Sequence, residues 1–267
     1  MRSSASEFNQ KYGPWALVTG ASDGIGAAIA GELGARGLNL ILVARSMDRL
    51  EALAESVRKA HGVEATAVAA DLGREADLQS VLDVVGDKEA GLYAGCAGFG
   101  TAGKFADNSM SDELNMIDVN CRALAALAHP LATRMRARGR GGIILMSSIV
   151  AFQGVSNSAN YAATKAFVQT LAEGLHDELS PDGVDVLASA PGPVATGFAT
   201  RADMNMGGAA KAHDVAISTL AALGRSRTVR PGFKSKLLGY GLATLPRALR
   251  SRILGGIMMG MTKHRHA

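Results

Sequence analysis

Three side chains between Ser148 and Lys165 have types and spacing that suit proton exchange with a carbonyl or alcohol oxygen. Tyr161 and Lys165 are about one helical turn apart, so on a helix both side chains lie on the same face. A free tyrosine has a pKa of about 10, and we expect the Lys165 ammonium to lower it because a nearby positive charge favours the phenolate. We expect Ser148, which follows a strand, to hold the substrate oxygen against the phenol.

Tyrosine and lysine also meet at this spacing by chance in many helices, so the pair alone is a weak signal. In that alternative, Tyr161 is a half-buried aromatic residue and Lys165 is a solvated charge. Whether the pair does chemistry therefore depends on the fold and on the other motifs of the chain.

The composition predicts a single globular α/β domain. The chain has 267 residues, of which 48% are hydrophobic, enough for one sizeable core. Its two cysteines, Cys96 and Cys121, lie in apolar stretches, which indicates reduced thiols rather than disulfides. The six histidines are scattered and no cysteine pairs accompany them, so we expect no metal site. We also expect no nucleic-acid partner.

The charge is distributed unevenly along the chain. Ten of the 28 Lys and Arg residues, and none of the 24 Asp and Glu residues, follow Gly224. The body is therefore mildly acidic and the C-terminal segment 225–267 is strongly basic. Residues 1–15 lack the apolar core of a secretory signal, and no run of about 18 apolar residues indicates a membrane-spanning helix. We expect a cytoplasmic protein.

Short apolar runs alternate with segments of helical periodicity. The predicted strands are 15–20, 38–44, 64–70, 92–97, 143–147 and 184–190, and the predicted helices are 27–37, 47–61, 75–85, 111–138 and 161–179. We expect Pro130 to bend the helix at 111–138. This alternation predicts a Rossmann-type, doubly wound parallel β-sheet with helices on both faces. Residues 1–267 are predicted to form one domain, with a core at about 13–224 and a basic helical extension at 225–267.

A glycine-rich turn lies between the first strand and the first helix, with the sequence Thr19-Gly20-Ala21-Ser22-Asp23-Gly24-Ile25-Gly26. Glycines there let the backbone close tightly and let N–H groups at the helix N-terminus approach a pyrophosphate. The position between a strand and a helix makes this signal much stronger than the glycines alone. Asp23 fits this interpretation poorly, since a carboxylate is unfavourable beside a phosphate.

The end of the second strand indicates which nucleotide is bound. NAD sites usually place a carboxylate there for the ribose hydroxyls, whereas NADP sites place an arginine near the 2′-phosphate. This chain has Arg45 and no carboxylate, so we predict NADP(H). The alternative is that Arg45 is one more solvated charge. Asp71, after the third strand, would accept hydrogen bonds from the adenine amino group or cap the next turn.

These motifs stand in the order found in short-chain dehydrogenases/reductases, and the chain resembles that family from about residue 15 to residue 224. Further matches are Asp71-Leu72 at the adenine contact, Asn120 on a helix, and Pro191-Gly192-Pro193-Val194-x-Thr196 in the loop that closes on the nicotinamide. The resemblance implies an NADP(H)-dependent enzyme in which the cofactor carries the hydride and the protein supplies orientation and electrostatics.

The resemblance also implies the role of each site residue. Tyr161 would exchange a proton with the substrate oxygen, which Ser148 would hold. Lys165 would lower the pKa of the tyrosine and bind the nicotinamide ribose, and Asn120 would support a water chain that carries the proton out. The implied cofactor-binding residues are Gly20, Ser22, Asp23, Gly24, Ile25, Gly26, Arg45, Asp71, Leu72, Ala97, Gly98, Tyr161, Lys165, Pro191, Gly192, Val194 and Thr196.

Two departures from the family pattern matter. The family has Asn-Asn-Ala-Gly after the fourth strand, whereas this chain has Gly95-Cys96-Ala97-Gly98, so we expect side-chain hydrogen bonds that brace the sheet to be missing. Asp23 replaces the basic residue of many NADP-using members. It resembles the Asp-Gly-Ile-Gly version in hydroxysteroid dehydrogenases and very-long-chain 3-oxoacyl-CoA reductases.

The predicted substrate side is mostly apolar, formed by Phe99, Phe152, Val155, Pro193 and Phe198, unless several of these side chains only fill the core. Residues 197–212 contain methionines and glycines that suit a mobile lid. We therefore expect a hydrophobic ketone or alcohol, steroid-like or 3-oxoacyl, as the substrate of an NADP(H)-dependent oxidoreductase. The alternatives are a non-catalytic NADP-sensing protein and a membrane-associated reductase of a lipid pathway.

The basic extension has three alternative roles. Pro246 would open a helix in which Leu249, Ile253 and Ile257 recur every four residues. This helix would cover the pocket and attract an acyl carrier or CoA group, lie on an acidic membrane surface, or pack on the body or a partner subunit. We expect a homodimer or homotetramer, paired through apolar helix stripes that core packing would equally explain. One such stripe consists of Phe167, Leu171, Leu175 and Leu179.

Overall fold

The computed structural model describes residues 2–202 and 207–262. Four residues of the predicted lid, Asp203, Met204, Asn205 and Met206, and the last five residues of the extension lie outside the described residues. The fold is the predicted one: a parallel sheet with helices on both faces.

Seven parallel strands form the main sheet. They are β1 (Trp15–Thr19), β2 (Asn39–Ala44), β3 (Ala65–Ala69), β4 (Ala90–Gly95), β5 (Gly141–Met146), β6 (Val184–Ser189) and β9 (Thr228–Val229). Their order is β3-β2-β1-β4-β5-β6-β9, so the direction of winding reverses between β1 and β4. Ligands of doubly wound sheets bind at this reversal, beyond the carboxyl ends of the strands. The sequence predicted six of the seven, because β9 is too short to show a pattern.

A separate two-stranded parallel pair joins β7 (Val194–Ala195) to β8 (Ala210–Lys211). Between these strands lies the short helix α8 (Gly197–Arg201). The pairing of β7 with β8 therefore brings together the two ends of the predicted lid, 197–212.

Helices cover both faces of the sheet. They are α1 (Arg2–Tyr12), α2 (Gly24–Ala35), α3 (Met47–His61), α4 (Glu75–Val85), α5 (Met110–Ile117), α6 (Ala123–Arg138), α7 (Ala159–Leu179), α9 (Ala212–Ala222), α10 (Phe233–Ala243) and α11 (Arg247–Met261). Successive strand residues point to opposite faces, so Ala16 packs with α2, α3 and α9, whereas Leu17 packs with α4, α6 and α7. The sequence missed α1, which is largely polar.

The prediction of one long helix at 111–138 is wrong in one respect. A π-helical turn, Asp118–Arg122, separates α5 from α6, and Pro130 lies inside α6 without ending it. The buried side chain of Asn120 lies in this turn and bonds to backbone outside the helix. Helical periodicity does not reveal such a turn, because apolar residues continue on both sides of it.

The stripe proposed to pair subunits is mostly core. Leu171 and Leu175 pack against the main cluster, Leu179 is buried, and Phe167 alone among the four is exposed. Oligomerisation stays a prediction. Within the described ranges, no helix is long and apolar enough to cross a bilayer, and no His, Cys, Asp or Glu cluster could hold a metal ion.

Candidate active site

A cavity of about 490 Å³ lies at the carboxyl ends of the strands, where the winding reverses. It is within the size range of small-molecule sites. All but one of the predicted site residues line it. Those lining it are Gly20, Ser22, Asp23, Gly24, Ile25, Gly26, Arg45, Asp71, Leu72, Ala97, Gly98, Ser148, Tyr161, Lys165, Pro191, Gly192, Val194 and Thr196.

The turn after β1 requires its glycines. Gly20 has a positive φ of 68°, and a Cβ there would lie 2.8 Å from the Ala97 Cα atom. A Cβ on Gly26 would lie 2.2 Å from the Gly20 carbonyl oxygen. Only hydrogen fits at either position, so the N-terminus of α2 lies open to the cavity. The positive end of the helix dipole and free N–H groups make this a fitting place for a pyrophosphate.

Asp23 has a structural role that the sequence did not suggest. Its Oδ1 atom accepts a hydrogen bond from Gly24 N at 2.7 Å, as the N-cap of α2, and its Oδ2 atom accepts one from Gly197 N at 2.8 Å. Both carboxylate oxygens therefore bind backbone N–H groups. Asp23 joins the glycine turn to the first residue of α8.

Three arginines line the cavity. Arg45 follows β2 as predicted, and the sequence interpretation missed Arg49 of α3 and Arg201 of α8. The Arg201 guanidinium stacks 3.9 Å from the centroid of the Phe99 ring. Burial lowers the pKa of Arg201, and the charge of Arg45 lowers it further. Such like charges at close range suit a dianionic phosphate.

Asp71 caps a turn and lines the cavity, whereas its contact with adenine stays a prediction. Its Oδ1 atom accepts a hydrogen bond from Gly73 N at 3.1 Å, so it caps the turn after β3. It also lines the cavity.

The phenol of Tyr161 is buried in the cavity, and Ser148 lies beside its hydroxyl. Burial raises the pKa of Tyr161 to about 12, and the Ser148 side chain opposes this rise. The expected lowering by Lys165 is not observed. The Lys165 Nζ atom donates to the Met146 carbonyl at 2.7 Å and lies 5.8 Å from the centroid of the tyrosine ring. Burial lowers the pKa of Lys165 itself to about 8.

Asn120 is fully buried and does not line the cavity. Its Oδ1 atom accepts from Phe99 N at 3.0 Å, and its Nδ2 atom donates to the Phe99 carbonyl at 2.9 Å and to the Thr164 hydroxyl at 3.0 Å. The side chain thus braces the backbone after β4 against α7. Its implied role in a water chain stays a prediction.

The brace expected to be missing after β4 is supplied by other residues. The Thr19 Oγ1 atom accepts from Ala97 N at 3.3 Å, and the Tyr93 hydroxyl lies beside Thr19. A Cβ on Gly95 would lie 3.0 Å from the Tyr93 hydroxyl oxygen, so the tyrosine fills the space beside this glycine. The expectation that this segment lacks side-chain bracing is therefore wrong.

Glu113 of α5 is a buried carboxylate whose hydrogen bonds reach the residue before Tyr161. It accepts hydrogen bonds from Thr101 Oγ1 at 2.7 Å, Asn108 Nδ2 at 2.8 Å and Asn160 Nδ2 at 2.6 Å. Asn160 immediately precedes Tyr161. Glu113 therefore anchors the loop after β4 to the N-terminus of α7.

The apolar half of the cavity differs from the prediction in its membership. Phe99, Pro193 and Phe198 line it, whereas Val155 is buried in the adjoining cluster and Phe152 stacks under Arg230. The extension supplies a further wall, in agreement with one of its three proposed roles. This wall consists of Leu238, Leu254, Ile257, Met258 and Met261.

The extension is bound to the body at two points of the site. Ser235 of α10 accepts a hydrogen bond from Gly192 N at 2.8 Å. Gly255 of α11 packs on Ser156, where a Cβ would lie 3.2 Å from the Ser156 Oγ atom. The extension thus covers the pocket and packs on the body at the same time. One arrangement combines two of its three proposed roles.

Residues 14–206 match a family model described as short chain dehydrogenase. The chain belongs to the short-chain dehydrogenase family. It is 35% identical over 191 residues to hydroxysteroid dehydrogenase-like protein 1 of Gallus gallus, covering 70% of this chain and 57% of that protein. It is 31% identical over 189 residues to 7beta-hydroxysteroid dehydrogenase of Clostridium sardiniense, covering 71% and 72%. It is also 32% identical over 197 residues to inactive hydroxysteroid dehydrogenase-like protein 1 of Homo sapiens, covering 72% and 59%.

Two solved structures extend the similarity into the C-terminal helices. A 7beta-hydroxysteroid dehydrogenase structure has a TM-score of 0.86 at 25% identity, and the match covers 93% of this chain and 99% of the other chain. A short-chain dehydrogenase from Sphingobium yanoikuyae in complex with NADPH has a TM-score of 0.77 at 33% identity, and covers 92% and 94%. Short-chain dehydrogenases are a family of oxidoreductases that use a nicotinamide cofactor.

Proposed function

We propose that the protein is an NADP(H)-dependent oxidoreductase that interconverts a bulky hydrophobic ketone and its secondary alcohol. The observation that carries this proposal is the buried Tyr161–Ser148 pair. It lies in one continuous cavity with the glycine turn on one side and an apolar wall on the other. A nucleotide and an apolar substrate would meet at the phenol.

The residues present fit a dinucleotide with an added phosphate. The glycine turn offers N–H groups to the pyrophosphate, and Arg45, Arg49 and Arg201 offer guanidinium groups to a 2′-phosphate. When bound, the nicotinamide supplies or accepts the hydride. The relative from Sphingobium yanoikuyae solved with NADPH is further support for this choice of cofactor.

The protein's own contribution is to bind and orient the substrate oxygen and to move one proton. Ser148 and Tyr161 would both hydrogen-bond to the carbonyl oxygen, and Tyr161 would donate its proton to that oxygen during reduction. Burial in a water-poor pocket strengthens both hydrogen bonds. The Lys165 ammonium, held by the Met146 carbonyl, would bind the ribose and favour the phenolate that forms.

The substrate class follows from the walls of the cavity. Phe99, Pro193 and Phe198 face side chains of α10 and α11, and nearly all of these are apolar. A rigid polycyclic or long-chain ketone buries more of this surface than a small ketone does. The similar proteins named 7beta-hydroxysteroid dehydrogenase support a steroid-like ketone over a sugar or a small aldehyde.

The test is a screen of ketones that follows the loss of NADPH absorbance, with NADH in matched wells. The panel should pair each steroid or 3-oxoacyl thioester with a small ketone that bears the same functional group. We expect turnover with bulky ketones and NADPH and much slower turnover with NADH. Binding of NADPH without turnover of any ketone would contradict the proposal and favour a nucleotide-sensing protein.

A further inference from the structure

Helix α10 has two apolar faces, of which the body covers one. Leu238 lines the cavity and Leu242 is buried on the same side of the helix. On the opposite side Phe233, Leu237 and Tyr240 are 79%, 64% and 63% exposed. Their spacing places all three on a single stripe of the helix. An exposed stripe of large apolar side chains is unfavourable in water and indicates a contact surface.

Helix α11 repeats this arrangement. Leu254 and Met258 are buried against the body, whereas Leu249, Ile257 and Met259 are exposed. Ile257 also lines the cavity. The exposed apolar side chains of α10 and α11 are called here the open face of the extension. At Ile257 this face is next to the apolar wall of the pocket.

The charges on α10 and α11 are all of one sign. No Asp or Glu follows Gly224. Lys236, Arg247 and Arg252 are exposed and form no ion pair with any residue in 2–202 or 207–262. Arg227, near the start of the extension, does form an ion pair. Its Nη2 atom lies 2.8 Å from the Asp177 Oδ1 atom. Helices α10 and α11 thus carry both exposed apolar side chains and exposed cations that no carboxylate of the described residues pairs with.

We propose that α10 and α11 bind the surface of an anionic lipid bilayer through this face. Exposed Phe, Leu and Tyr side chains enter the headgroup boundary, and the cations bind lipid phosphates. A second copy of the chain is a poorer occupant, since a two-fold contact of this face would bring the cations of both copies together. The contact is peripheral, because neither helix is long and apolar enough to span a bilayer.

This surface would also explain how a hydrophobic ketone reaches the site, a consequence that rests on the proposed function. The segments that touch the bilayer carry the apolar wall of the cavity on their other side. A substrate dissolved in lipid would then enter beside Ile257 without crossing water. Lipid binding itself does not depend on this consequence.

The test is co-sedimentation of the full chain, without nucleotide or substrate, with two kinds of vesicle. One is phosphatidylcholine alone, and in the other phosphatidylglycerol replaces about a third of the phosphatidylcholine. Phe233→Ser with Leu237→Ser removes apolar contacts, and Lys236→Gln with Arg247→Gln and Arg252→Gln removes charge. The matched controls are Phe105→Ser with Ile217→Ser, and Lys59→Gln with Arg74→Gln and Lys104→Gln, at exposed sites elsewhere.

We expect binding to the anionic vesicles only, weakened by salt. Each surface cation contributes about fivefold, so the triple charge variant should bind on the order of 100-fold more weakly. The apolar pair should also bind more weakly, while both controls bind as the wild type does. The comparison of vesicles for the wild type needs no variant, and melting temperatures show whether each variant is folded.

No binding to either vesicle, or equal binding of both test variants and the wild type, would overturn the proposal. A second result would also overturn the proposal. If light scattering showed a smaller oligomer for the Phe233/Leu237 double variant than for the wild type, and neither bound vesicles, this face would join two copies of the chain. The ketone screen is independent: vesicle binding without turnover would leave the lipid surface intact and reject the reductase. The Phe233/Leu237 pair should keep its turnover of a water-soluble ketone.

Discussion

The carboxylate of Asp23 joins two segments of the site that are 174 residues apart, with its Oδ2 atom 2.8 Å from Gly197 N. The same side chain caps α2 through Gly24 N. The glycine turn and the start of α8 are thus held together without any ligand. A Cβ on Gly24 would lie 2.6 Å from the Thr196 side chain, which shows how closely the two segments approach.

Asp23→Ala should therefore weaken NADPH binding, although it removes a negative charge near the phosphates. The Ala variant loses both hydrogen bonds that position the turn, and loss of the cap should also lower the free energy of unfolding by about 1 kcal/mol. Asp23→Asn keeps one oxygen acceptor and should bind NADPH more tightly than Asp23→Ala does. Fluorescence titration measures both dissociation constants. Tighter binding by Asp23→Ala than by the wild type would mean that charge repulsion outweighs the link.

The glycine turn, Arg45 and the Tyr161–Lys165 spacing were predictable because each is local. A strand, a turn and a helix follow one another in sequence, and their chemistry is visible in a few residues. The contact from Asp23 to Gly197 was not predictable, because a carboxylate in a phosphate-binding turn has a local interpretation that is unfavourable. Its partner is a backbone N–H group, which carries no sequence signal.

The same distinction explains the other errors. The sequence left three alternatives for the extension, because an apolar helix face does not reveal what it covers. Tyr93, two residues before Gly95 on β4, fills the space beside that glycine. The sequence of this strand is apolar, so its pattern did not predict the brace. The pKa of Tyr161 was misjudged because helical spacing brings Lys165 near the phenol but does not show that the ammonium bonds to the Met146 carbonyl.

Tyr161→Phe should abolish turnover and leave NADPH binding nearly unchanged. The substitution removes the proton donor and keeps the ring that packs 5.4 Å from Phe198, centroid to centroid. A positioned acid contributes about 10² to 10⁴ in rate. Stopped-flow measurement of hydride transfer tests the loss, and NADPH fluorescence tests binding. Activity of the variant within about tenfold of the wild type would reject Tyr161 as the proton donor.

Arg45→Ala should raise the KM for NADPH by about 10-fold to 100-fold, since charge-assisted hydrogen bonds to phosphate contribute about 1.5–3 kcal/mol. The KM for NADH, which lacks the phosphate, should change little. Arg58→Ala, which removes an exposed arginine of α3 paired with Glu51, is the control. An equal rise of KM for both nucleotides would show that Arg45 does not contact the 2′-phosphate.

The stability of the nucleotide-free protein should rise with pH through Lys165. Burial lowers the pKa of this lysine from 10.5 to about 8, so between these values the unfolded chain binds a proton that the folded chain has released. The wild type should therefore gain up to about 3 kcal/mol relative to Lys165→Met as the pH rises from about 7 to about 10. Urea denaturation at several pH values measures this difference. Lys59→Met, at an exposed site, should show no such trend, and a flat difference for Lys165→Met would mean that the lysine stays charged.

Glu113→Gln distinguishes a helix-dipole role from a hydrogen-bonding role, because Asp112 in the same turn of α5 is exposed and makes a matched control. Glu113 accepts from three donors, and an amide in its place turns one acceptor into a donor that faces them. An unsatisfied buried group costs about 1–3 kcal/mol, so the free energy of unfolding should fall by that amount. Since Asn160 precedes Tyr161, kcat should also fall, with little change in the KM for NADPH. Asp112→Asn should leave kcat unchanged; equal effects of the two substitutions would mean that only the charge at the helix N-terminus matters.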